Sequence, residues 1–223
     1  KPGINVKTDD FLNAIPAKFK YWDIDINEQN VVESKLVITY TRVNQLLNLT
    51  GGYDNIKNAY SRLAKRKLSK AKENDLMLKK NVSPKVIIDL YKKWYGRQHK
   101  NMPDDYILLA ECCKTAMQKG MAETYIAVFP GGEAVAFYIV LKDKDFVYSL
   151  LGGSTDKGKV AGAFYFLTDA AIKDHCIPGK AFRFEGSDVE GIAFFNSQFG
   201  TESITYLHVR QNKLPAFLRY FKK

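Results

Sequence analysis

A mixed α/β (α+β) fold, with a mostly antiparallel sheet flanked by helices, follows from three features of this 223-residue sequence. Apolar residues recur at helical spacing in the helices expected between Tyr53 and about residue 119, then switch to alternation over 122–128, 133–141 and 145–151. The PGG and KDK turns that join these stretches predict an antiparallel meander. A strand–helix–strand crossover between 145 and 184 adds one parallel pair.

Element by element, YWDIDI (21–26) alternates, and KLVITYTRVNQLL (35–47) reads as a strand broken by Thr50-Gly51-Gly52. A helix is expected from Tyr53 to about Glu73, with Tyr60, Leu63, Ala64, Leu68 and Ala71 on one face. LMLKK (76–80) is a short strand. Ser83-Pro84 opens the next helix, with Ser as cap and Pro in its first turn. A further helix over about 104–119 stops at Gly120. GGSTDKGK (152–159) leads into a helix with Val160, Ala163, Phe164, Leu167 and Ala171 inward. AFRF (181–184) is a strand, 189–198 a helix and SITYLHV (203–209) the last strand.

Composition narrows the function classes. Hydrophobic content of 46% with 26% charged residues is that of a globular protein. The longest apolar run, AVAFYIVL (134–141), is strand-sized, so no membrane span is expected. Residues 1–15 are mixed and polar, unlike a signal peptide. The chain lacks an initiator Met and begins as if in mid-structure, which implies a fragment or processed product. Cys112 and Cys113 are adjacent and Cys176 stands apart, which favours reduced thiols and a cytoplasmic setting. His99, His175 and His208 show no metal-ligand spacing, so no metal is expected. The formal charge of +10 favours an anionic partner.

Three segments carry a family resemblance. YSRLAKRKLSKAKENDLMLK (60–79) resembles the basic helix-then-strand segment of Fem-type transferases, R-x-x-I-R-K-A-x-K-x-G-V, with Lys67-Leu68 in place of its I-R and Asp75 in place of its Gly. YSLLGGS (148–154), then FRFEGSDVEGIAFFNSQFGTESITYL, is similar to their strand, D-F-G/E-G, helix, F-K-x-x-F-G, strand signature. The resemblance covers about residues 36–223 and is to Fem-like members of the GNAT N-acyltransferase superfamily. It implies a GNAT-like acyltransferase domain at 53–223, and in 1–52 the remnant of a preceding GNAT-like domain or a linker. It further implies transfer of an acyl or aminoacyl group to an amine by direct attack within a ternary complex. Acyl-CoA or aminoacyl-tRNA would be the phosphate-bearing donor, and tRNA or a nucleotide-linked cell-wall precursor a partner. A non-catalytic binding module on the same scaffold, engaging an anionic partner through the basic helix, is the alternative.

Candidate site residues fall in three places. In GGSTDKGKVAG (152–162), backbone N–H groups and a helix start could cradle phosphate, with Gly153, Ser154, Lys157, Lys159 and Gly162 as donor-binding candidates; a plain turn capped by Ser154 or Thr155 is the structural alternative. Between 57 and 80 stand nine Lys/Arg and two acidic residues. Arg62, Arg66 and Lys70 align at four-residue spacing as a cationic ridge for an anionic substrate, or as a solvated face. In the third place, Ser187-Asp188-Val189-Glu190 fits a capping box, while Ile192, Phe195 and Phe199 read as core and Gly200 as a helix stop. Glu185 is neither cap nor core. At a strand's carboxyl end beside a helix start, it could orient or deprotonate an attacking amine. Tyr206 is the general-acid candidate.

Overall fold

The computed structural model describes residues 7–98 and 102–220; His99 lies outside them. In chain order the elements are α1 (Thr8–Asn13), β1 (Tyr21–Asp25), β2 (Ile38–Asn48), α2 (Tyr53–Asn58), α3 (Arg62–Glu73), β3 (Met77–Lys80), α4 (Pro84–Tyr95) and α5 (Pro103–Gln118). They continue with β4 (Ala122–Val128), β5 (Ala134–Lys142), β6 (Phe146–Ser154), α6 (Asp156–Ala161), α7 (Ala163–Asp174), β7 (Ala181–Phe184), α8 (Glu190–Ser197), β8 (Glu202–Asn212) and α9 (Ala216–Arg219). Each strand expected from alternation is present, with ends moved by a few residues.

The chain divides into two compact units, one from Lys1–Asn44 with Ser203–Lys223 and one from Gln45–Glu202. The end of β2 belongs to the second unit, because Gln45–Asn48 pair antiparallel with β7. In the first unit β1 pairs antiparallel with β8, from Tyr21↔Asn212 to Asp25↔His208. His208 is buried with Nδ1 2.7 Å from Asp25 Oδ1, and Arg42 donates to the same carboxylate at 3.2 Å.

The second unit holds the strand order β2-β7-β6-β5-β4-β3, antiparallel except for the parallel pair β6–β7. The middle strand β5 explains why its sequence is almost continuously apolar: every residue from Val135 to Val140 is at most 1% exposed. Alternate side chains go to opposite faces. Tyr138 and Val140 join the layer packed with Leu167 and Ile172 of α7, while Phe137 and Ile139 join Ile87 and Ile88 of α4.

Two expected helices are broken in two. The 53–73 helix stops after Asn58 and restarts at Arg62. Ser61 causes the restart: its Oγ accepts from Ala64 N–H at 3.1 Å, its hydroxyl donates to Gln198 Oε1 at 2.6 Å, and its N–H donates to Gln198 O at 2.9 Å. Tyr60, freed from helical phase, is buried edge-on against Phe199. Ser61→Ala is expected to cost about 1 kcal/mol, read as a lower denaturant midpoint at unchanged m-value. The second break is at Gly162, with φ +75, between α6 and α7. It puts Val160 out of phase with α7, so Val160 is 74% exposed rather than inward.

A buried polar cluster at the end of α7 titrates with folding. His175 Nε2 lies 3.2 Å from Glu123 Oε2, and Glu123 also accepts from Tyr125 and Lys142. Burial holds the imidazole below its ordinary 6.5, with Glu123 opposing the shift. Burial alone would raise Glu123, but hydrogen bonds from Lys142 and Tyr125 outweigh it and hold the carboxyl below its ordinary 4.5. A histidine kept neutral binds fewer protons folded than unfolded, so stability falls as pH drops below about 6.5. Glu123 loses its contribution only at more acid pH. His175→Gln is expected to flatten the pH dependence of the unfolding midpoint between about pH 7 and 5. An unchanged slope would contradict that assignment.

Candidate functional site

The site is built where the parallel pair comes apart. Pairing of β6 with β7 runs from Phe146↔Ala181 to Tyr148↔Arg183, after which β7 ends and β6 continues to Ser154. Beyond this point a cavity of about 590 Å³ opens within the second unit, at the carboxyl ends of both strands. Such strand ends are the usual ligand position in sheets with parallel pairs. Its floor is Ser149–Ser154 of β6; α8, the start of α7 and the turn after β7 form its walls.

Local sequence shapes that floor. The register of β5 against β6 jumps from Ile139↔Leu151 to Val140↔Ser149, leaving Leu150 as a bulge. Bulges re-aim side chains beside sites, and Ser149, Leu150 and Leu151 all line the cavity. Gly152 is required because a Cβ there would overlap the Phe164 ring. The opposite wall is aromatic: ring centroids are 5.2 Å apart for Tyr138–Phe164, 5.0 Å for Phe164–Phe195 and 4.7 Å for Tyr165–Phe195.

Of the residues singled out from sequence, Gly153, Ser154, Lys159, Gly162 and Glu185 line this one cavity. Glu185 is exposed on the turn directly after β7. Lys157, Arg62, Arg66 and Lys70 do not line it. Lys157 pairs with Glu133 at 3.0 Å, and Lys70 with Glu73 at 2.7 Å. Arg66 and Lys70 border a separate depression beside α3, and Arg62 is exposed at the start of that helix. Tyr206 is half-buried on β8, in the other unit, and is not among the lining residues.

The phosphate cradle read from the Gly-rich turn is largely occupied by the protein itself. Tyr95 Oη accepts from Ser154 N–H and donates to Ser154 O, both at 2.9 Å. Thr155, the cap of α6, accepts from Gly158 N–H at 3.1 Å. Lys159 pairs with Asp156 at 2.9 Å, and that hydrogen bond raises the lysine and lowers the carboxyl from their ordinary values. The turn's backbone therefore offers a phosphate little. Lys67 and Lys159 are the two cations of the lining. Sequence reasoning passed over Lys67: it lies beside the Arg62–Arg66–Lys70 row, and its Nζ reaches Lys159 O at 2.8 Å.

The capping-box expectation at 187–190 fails. Helix α8 begins at Glu190 with Val189 in the cap position and no side-chain cap. Ser187 instead donates to Phe184 O and accepts from Asn196 Nδ2, both at 3.2 Å, which ties α8 to the end of β7. Nor is Ile192 core: it is 42% exposed and lines the cavity, whereas Phe199 is fully buried.

A second cavity of about 700 Å³, also in this unit, sits at the opposite strand ends around Glu123, Lys142 and His175. Its charged groups pair with one another, Lys80 with Asp174 and Lys142 with Glu123, so it presents less unspent chemistry. Among the described residues no group of three His, Cys, Asp or Glu could hold a metal ion. No helix among them is long and apolar enough to cross a membrane.

No protein-family model matches the chain. No curated protein matches it either. Among solved structures it is similar to FemX, with TM-score 0.61 and 12% identity over 97% of this chain and 72% of that one. It is also similar to the C-terminal DUF2156 domain of a putative lysylphosphatidylglycerol synthetase from Agrobacterium fabrum, with TM-score 0.53, 12% identity and 83% and 65% coverage. L-PGS from Bacillus licheniformis gives TM-score 0.51, 11% identity and 97% and 68% coverage. The chain thus spans 65% to 72% of the length of these three. The likeness shows the fold, which is of the Fem-type, GNAT-like kind: a mixed, mostly antiparallel sheet flanked by helices.

Proposed function

We propose that this chain is an N-acyltransferase that moves an acyl or aminoacyl group from a phosphate-bearing donor to an amine. The observation that carries the reading is the convergence of Lys67, Lys159 and Glu185 on one largely apolar cavity at the ends of β6 and β7. The Fem-type fold supports it. The donor is acyl-CoA or aminoacyl-tRNA, held by its phosphates at the two lysines. The amine nitrogen attacks the acyl carbon directly, its proton passes to the Glu185 carboxylate, and the donor's sulfur or ribose oxygen leaves and takes up a proton. No step is assigned to Tyr206. The test is formation of an amide when the chain meets a defined donor and a primary amine, followed by mass spectrometry.

The second reading, a non-catalytic module, draws on the internal pairing of the Gly-rich turn and of Lys157. It shares donor or anion binding with the first but yields no amide. On that reading the exposed Arg62 and Arg66 carry the partner, and affinity falls steeply with salt.

A further inference from the structure

We infer that the group transferred is a bulky apolar acyl chain, lodged against Tyr138, Phe164 and Phe195. The inference rests on the acyltransfer reading and names its substrate class. Size is the first argument. Water occupies about 30 Å³ per molecule in the liquid, so a cavity of 590 Å³ has room for roughly 20 waters. An acetyl or alanyl group would leave water against the faces of Tyr138, Phe164 and Phe195, which is the unfavourable state that burial of a chain relieves.

The second argument is what the polar lining groups are already doing. Tyr95 Oη is spent on both backbone groups of Ser154. Asn196 Nδ2 donates to Phe184 O and to Ser187 Oγ. Lys67 donates to Lys159 O. A polar or charged side chain on the acyl group would leave its water and find few partners in the aromatic part, at a cost of about 1–3 kcal/mol. An apolar chain loses nothing there. The third argument is the exposed apolar surface at the wall: Leu150 is 41% and Ile192 42% exposed, both facing this cavity. The structure keeps these side chains solvated where a chain would cover them.

The test titrates the full chain calorimetrically with n-alkanoates from butanoate to decanoate, for wild type, Leu150→Glu and Ile192→Glu. Both positions are part-exposed, so a carboxylate there is compatible with folding, and the wild-type series stands by itself if either variant unfolds. Affinity is expected to rise about fourfold per added methylene, and to lose that dependence in both variants. Affinity independent of chain length in the wild type, or an unchanged dependence in folded variants, overturns the inference. Transfer assays then separate it from the reading beneath it. Length-dependent binding with no amide from acetyl-coenzyme A, octanoyl-coenzyme A or an aminoacyl-tRNA upholds the apolar site and sinks the enzyme. Acetyl transfer as efficient as octanoyl transfer keeps the enzyme and sinks the apolar specificity.

Discussion

Glu185→Gln is expected to lower the transfer rate by roughly 10²–10⁴-fold, the usual contribution of a positioned general base. The fall should appear in kcat, with the donor's KM little changed, because the carboxylate acts on the amine and not on the donor phosphates. Glu185 is exposed on a turn, and substitutions at such positions usually change stability by no more than about 0.5 kcal/mol. A folded variant with near-wild-type transfer would remove Glu185 from the mechanism.

The largest stability effect is expected at Gly162, which joins α6 to α7 at φ +75. In Gly162→Ala a left-handed backbone carries a Cβ, costing about 1–2 kcal/mol, and that Cβ overlaps the Lys67 carbonyl oxygen of α3. A backbone atom cannot swing aside, so overpacking adds about 1–3 kcal/mol. A loss of roughly 3 kcal/mol lowers Tm by about 6–12 °C for a chain of this size. Gly179→Ala is the control: φ is +84 but nothing lies within 4 Å of the added Cβ. It should cost only the conformational part, about 1–2 kcal/mol. Equal losses in the two variants would mean that the α3 contact contributes nothing. Because Lys67 and Lys159 flank this junction and line the cavity, Gly162→Ala should also weaken donor binding.

The sheet was legible because β4, β5 and β6 announce themselves by alternation and by short turns, signals that depend only on neighbours along the chain. Helix phase was less legible. Tyr60 and Val160 both fit a helical stripe on paper, yet each sits beside a break that a distant partner imposes: Gln198 on Ser61, the Lys67 carbonyl on Gly162. The capping box at 187–190 misled for a related reason. A serine hydroxyl bonds a strand carbonyl as readily as a helix N–H, and Asn196, nine residues later, settles the choice. Glu185 could be singled out because no local rule accounted for it. Its companions could not: Lys67, Tyr95, Tyr138 and Phe195 come from four elements, and only the fold brings them to one cavity. The Leu150 bulge had no sequence mark, since it arises from register between two strands rather than from composition.

The central claim is that this cavity binds the acyl donor. Its most direct measurement is the unfolding temperature of wild type and of Ile192→Glu, each with coenzyme A, octanoyl-coenzyme A and an aminoacyl-tRNA. A donor at a hundred times its Kd stabilises the folded state by about 2.7 kcal/mol, a rise of roughly 5–10 °C here. The account predicts that rise for at least one donor in the wild type, and its loss in the folded variant. No rise with any of the three, or the same rise in wild type and variant, would contradict it.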